Sequence, residues 1–106
     1  MQEDLVFRIG HSPDPDDAFM FHALTTGALD TPGRRYVHEL HDIENLNRHA
    51  QEGKFEVSAV SIHSYPSIAG SYQLMNCGAS MGENYGPILV SRMKMGLDEA
   101  KTRTIA

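Results

Sequence analysis

The apolar positions of this chain fall in short runs that switch between strand-like and helix-like spacing. Leu5-Val6-Phe7-Arg8-Ile9 is nearly continuous and is stopped by Gly10, which predicts a strand buried on both faces. Over residues 17–26, Phe19, Met20, Ala23 and Leu24 recur at helical spacing, and Gly27 stands where a C-terminal cap belongs. Core packing is the expectation for these side chains. After the turn Asp30-Thr31-Pro32-Gly33, residues 35–40 predict a second strand whose mixed polarity suits an outer place in the sheet. Asp42 is placed to cap a helix over residues 43–52, with Ile43, Leu46 and Ala50 as its apolar stripe and Gly53 ending it. Residues 57–60 predict the third strand, after which Ser61 or Ser64 caps a short helix with Pro66 in its first turn. Residues 72–75 and 88–91 predict fourth and fifth strands. A turn or short helix is expected near Leu97-Asp98-Glu99-Ala100, and residues 102–106 read as a strand just beginning, as in a fragment of a longer polypeptide.

This β-α-β-α-β-α order implies an α/β protein whose parallel sheet carries two strand-to-helix loops on one edge. One loop holds His11 to Asp17; the other starts at Ser61. Ligands of open α/β sheets gather at such an edge. Hydroxyls and unpaired helix N–H groups there suit a carboxylate or another anionic oxygen on a small molecule. Asp14, Asp16 and Asp17 oppose a heavily anionic ligand.

Composition narrows the partners. A length of 106 residues bounds the chain to one domain with a modest core. Nine Lys and Arg against fourteen Asp and Glu leave a net charge of −5 with no basic stripe, so nucleic acid is not an expected partner. No apolar run is long enough to span a bilayer, and Gln2-Glu3-Asp4 is acidic where a secretory signal needs positive charge, so the expected compartment is the cytoplasm. Cys77 is the single cysteine; it permits no internal disulfide and has no metal spacing. His38 and His41 sit three apart without a nearby Cys or repeated carboxylate, so the histidines are expected to be solvated and no metal or other cofactor is called for. His11, Ser12 and Asp14 have the residue types of a hydrolase, yet no Gly-x-Ser-x-Gly elbow accompanies them.

Four blocks carry a family resemblance. Gly10-His11-Ser12-Pro13-Asp14-Pro15-Asp16-Asp17-Ala18-Phe19, Asp42-Ile43-Glu44-Asn45-Leu46-Asn47, Ser61 after the third strand, and Gly86-Pro87-Ile88-Leu89-Val90 occur in the order found in 1,4-dihydroxy-6-naphthoate synthases, the enzymes of the futalosine route to menaquinone. Over residues 5–92 the chain resembles the N-terminal portion of that family. Asp14 and Asp16 stand where its members commonly have Cys and Asn, so this is similar to a divergent member with a more acidic cleft. The resemblance implies a type II periplasmic-binding-protein-like fold of two lobes. Residues 1–86 would form an incomplete first lobe, and residues 87–106 the crossover strand and the truncated start of the second.

It also implies conversion of cyclic de-hypoxanthine futalosine to 1,4-dihydroxy-6-naphthoate, a lyase-type reaction with a histidine base. That histidine is expected beyond Ala106, so no catalytic residue is assigned within this chain. By matching positions, Ala59, Val60 and Ser61 belong to the substrate-contacting segment, Asn47 lies close by, and Ser12 lines the cleft. The alternative from another class is a solute-binding protein that captures a small carboxylate without chemistry; a third is chorismate dehydration by the sister enzyme.

Overall fold

The computed structural model describes residues 3–84, 86 and 88–104. Its elements are β1 (Leu5–His11), α1 (Pro15–Thr25), β2 (Arg34–Leu40), α2 (Ile43–Gln51), β3 (Val57–Ser58), a 3-10 turn (Ile62–Ser64), α3 (Tyr65–Ile68) and α4 (Leu97–Ala100). The strands form one sheet in the order β2-β1-β3, with both pairings parallel. Parallel neighbours need a crossover, and α1 and α2 supply it. β2 is an edge strand, as its mixed polarity implied.

Alternation along β1 sends Ile9 and His11 to one face and Gly10 to the other. His11 stacks on Phe21 of α1, with ring centroids 4.4 Å apart. Gly10 faces Leu46 of α2 and Phe55 of the segment leading into β3. The buried apolar set is Ile9, Leu46, Ala50, Phe55, Ile68 and Ala100. Tyr72 reinforces this centre by donating its hydroxyl to the Phe55 carbonyl at 2.7 Å. Asp42 caps α2 as expected, its carboxylate accepting the Asn45 N–H at 2.9 Å.

Several expectations are corrected. β1 is buried only toward its C-terminal end, and Leu5 remains 65% exposed; β3 is two residues long and pairs only with Ile9 and Gly10, so the strand's beginning has a ladder partner on the β2 side alone among the described residues. The third strand is thus shorter than residues 57–60, although the Ala59 N–H still reaches the Gly10 carbonyl at 2.8 Å. α1 begins at Pro15, two residues before Asp17, because proline is preset for a first helical position and has no N–H to lose. It buries no side chain: Phe19 is 88% exposed, and Met20, Ala23 and Leu24 are not buried either. Ile43 is also exposed, leaving Leu46 and Ala50 as the buried positions of α2.

Residues 72–75 and 88–91 form no strand among the described residues, since neither finds a ladder partner. Residues 102–104 follow α4 in a turn, with the Thr102 N–H bonded to the Glu99 carbonyl at 3.0 Å. Ile105 and Ala106 lie outside the described residues, as do Tyr85 and, in the fourth resembling block, Pro87.

Candidate functional site at the C-terminal edge of the sheet

Because the three strands are parallel, their C-terminal ends and the loops that follow share one edge. β1 leads through Ser12 into α1, β2 through His41 and Asp42 into α2, and β3 through Ala59, Val60 and Ser61 into the 3-10 turn. The His41 N–H donates to the His11 carbonyl at 3.0 Å, and the Ala59 N–H to the Gly10 carbonyl, so both outer loops are fastened to the end of β1. Ser12, Asn47, Ala59, Val60 and Ser61 are thereby gathered on this edge.

Ser61 precedes the 3-10 turn but its side chain does not cap it. Instead Asn47, one turn into α2, grips it from the side. The Ser61 N–H donates to Asn47 Oδ1 at 3.0 Å, and Asn47 Nδ2 donates to Ser61 Oγ at 3.1 Å. Ser61 Oγ and Ser64 Oγ lie 2.9 Å apart, joined by a hydrogen bond that either hydroxyl can donate. The amide of Asn47 thus uses both its functions on one serine, which fixes the hydroxyl independently of helix capping.

Ser12 is equally constrained and 7% exposed. Its N–H donates to Asp17 Oδ2 at 2.7 Å, and its Oγ accepts the Asp14 N–H at 3.1 Å. Its carbonyl oxygen lies 3.2 Å from His11 Nδ1. His11 therefore meets the backbone of Ser12 and not its hydroxyl, so these residues hold no nucleophile–base pair of the hydrolase kind.

Four of the six histidines depart from the solvated expectation, while His22 and His63 are exposed as expected. His11 is buried at 3% exposure, with Nε2 3.1 Å from His38 Nδ1; His38 and His41 are half-buried. Burial, and secondarily the neighbouring His11, push the His38 imidazole below its ordinary pKa. On the opposite side of β2, His41 Nε2 lies 3.2 Å from Glu39 Oε2, which also accepts from Lys54 Nζ at 3.1 Å. These contacts, His41 first, hold the Glu39 carboxyl below its usual range. Sequence reasoning missed the His11–His38 pair. The available signal was register, since strands pairing Ile9 with His38 bring the two imidazoles to adjacent positions on one face.

No group of three or more His, Cys, Asp or Glu side chains among the described residues is arranged to hold a metal ion. Two open depressions lie away from the edge. One of about 440 Å³ is lined by Gly53, Phe55, Glu56, Ser71, Tyr72 and Gln73; the other, about 520 Å³, runs along Ala18, Phe19, Met20, His22 and Ala23 of α1. Neither contains a residue of the Asn47–Ser61–Ser64 network. What the edge offers is a set of fixed polar groups.

The family model described as menaquinone biosynthesis matches residues 7–106. The chain belongs to this family. Among the family's relatives, a 1,4-dihydroxy-6-naphtoate synthase of Thermus thermophilus is 35% identical over 85 residues, covering 80% of this chain and 31% of the relative. The synthase of the same name from Streptomyces coelicolor is 33% identical over 86 residues, covering 80% of this chain and 30% of the relative. A crystal structure of an Archaeoglobus fulgidus protein superposes with a TM-score of 0.72 at 44% identity, covering 76% of this chain and 30% of that one. The chain thus spans about a third of the length of the menaquinone-biosynthesis relatives it matches.

Proposed function

We propose that this chain supplies one wall of the substrate cleft of a 1,4-dihydroxy-6-naphthoate synthase, a lyase-type enzyme that acts on cyclic de-hypoxanthine futalosine. The observation that carries the reading is the clamp of Asn47 on Ser61, at the ligand-binding edge of a parallel sheet, in a chain of the menaquinone-biosynthesis family. In this reading Ser61 holds an oxygen of the substrate, Ala59 and Val60 lie against it, Ser12 bounds the site from the β1 side, and Asn47 keeps the Ser61 hydroxyl aimed. The fold is that of the first lobe of a two-lobed, periplasmic-binding-protein-like enzyme. Closure of the second lobe then excludes water and brings a histidine base to a proton adjacent to a carbonyl. With one wall only, the chain by itself is expected not to turn over.

The test is chromatographic detection of 1,4-dihydroxy-6-naphthoate from cyclic de-hypoxanthine futalosine, using the full-length protein that carries this chain and its Ser61→Ala variant. The hydroxyl is worth about tenfold or more in kcat/KM if it bonds the substrate, following the cost of one lost hydrogen bond. Product from the parent with that loss in the variant supports the reading. Unchanged substrate with the parent overturns it, and binding of the compound without product replaces it with solute capture.

A further inference from the structure

We infer that His11 and His38 form a proton-ordered pair that positions Ser12, making both of them positioning residues for the proposed site. The ordering follows from donor and acceptor chemistry. The Ser12 carbonyl can only accept, so His11 Nδ1, 3.2 Å away, carries a proton. A neutral His11 then offers Nε2 as a lone pair, and His38 Nδ1, 3.1 Å from it, must be the donor. His38 consequently keeps its own Nε2 unprotonated; that atom is buried and meets no partner among the described residues.

The other arrangement requires a doubly protonated His11 donating to His38. No hydrogen bond among the described residues joins His11 to a carboxylate. His11 is 3% exposed, its ring lies against Phe21, and its two hydrogen-bonding neighbours are a carbonyl and a neutral imidazole rather than a carboxylate. Burial acts on His38 in the same sense, favouring its neutral form. In the ordering we infer, neither ring is charged and both carry the proton on Nδ1.

The consequence falls on Ser12. Its N–H is held by Asp17, its Oγ by the Asp14 N–H and its carbonyl by His11, so three contacts set the orientation of one residue. The His11 contact depends on a tautomer, and the tautomer depends on His38. Without the His38 donor, His11 Nε2 becomes a buried acceptor with nothing to accept. His11 then gains by moving its proton to Nε2 or turning its ring, and either change releases the Ser12 carbonyl.

Two measurements on the full-length protein test this, the first independently of the synthase reading on which the site role rests. Nitrogen-15 NMR of the imidazoles at neutral pH, assigned with the His38 variants, is expected to show neutral Nδ1–H rings for both residues. A His38 with its proton on Nε2, or a charged His11, overturns the ordering. The second compares His38→Phe, which keeps a ring without a donor, with His38→Asn, which keeps an N–H near the position of Nδ1. His38→Phe is expected to raise KM about tenfold with kcat little changed, the scale of one hydrogen bond, and His38→Asn to restore most of it. Equal impairment by both variants, or none by either, overturns the positioning role. Absence of naphthoate formation by the parent protein sinks the synthase reading and leaves the tautomer result to stand or fall by itself.

Discussion

A Cβ built on Gly10 would stand 2.7 Å from two ring carbons of Phe55 and 2.9 Å from Leu46 Cδ2. Only a hydrogen fits between β1 and these two side chains, and both are buried within the core. Gly10→Ala is therefore expected to destabilise the chain by about 1–3 kcal/mol, the range for overpacking a closed core, seen as a lower urea midpoint. An unchanged midpoint would mean that the Phe55 ring swings aside at no cost. In sequence, Gly10 read only as a strand stop, because the close approach is made by residues 36 and 45 positions further on and local pattern does not report it. The site is similar in this respect. The family resemblance pointed to Ser61 and Asn47, and the element order to loops on a common edge. That Ser61 is held sideways by Asn47 instead of capping its own turn depends on tertiary distance, and so does the pairing of His11 with His38.

At the scale of elements, local chemistry and tertiary cover account for different outcomes. α2 was readable from its cap, its stripe and its closing glycine because each signal acts within a turn or two. Its Asp42 cap bonds both the backbone and the side-chain amide of Asn45, at 2.9 and 2.6 Å, and the backbone bond leads in holding the Asp42 carboxyl below its usual range. Asp42→Ala is expected to lower the midpoint of the same denaturation, while Asp42→Ser should recover most of the loss. Comparable losses in both variants would place the effect outside capping. α1 shows the opposite case. Its apolar residues surround the helix instead of forming a stripe, and Phe21 engages the sheet through the rings of His11 and His38. The predicted fourth and fifth strands had the right composition too, but a strand exists only when paired, and composition does not say whether a partner is within reach.

Across the whole molecule, the Arg8–Glu56 pair is the long tie between the first strand and the approach to the last. The Arg8 N–H donates to Glu56 Oε2 at 2.7 Å and Arg8 Nη2 to Oε1 at 2.8 Å. The Arg8 side chain first, and its backbone N–H second, pull the Glu56 carboxyl down from its ordinary 4.5 to about 2. A folded-state carboxyl below its unfolded value adds stability above the unfolded pKa, and that contribution drains away as pH falls. Unfolding midpoints should therefore decline between pH 4.5 and about 2, and Glu56→Gln should flatten that decline while lowering the neutral-pH midpoint. An identical acid profile in the variant would count against the pair. High salt should narrow the difference, since the groups are exposed. The central position of β1 also bears on how the chain is made. The strand is made before either of its partners, yet Glu56, which leads into the second of them, follows Arg8 by 48 residues. At about 5–20 residues per second, several seconds pass before the segment that covers Ile9 and Gly10 has been translated. Through that interval the middle of the sheet has one flank at most, so the nascent chain must wait on the ribosome, or be shielded there, before its core can close.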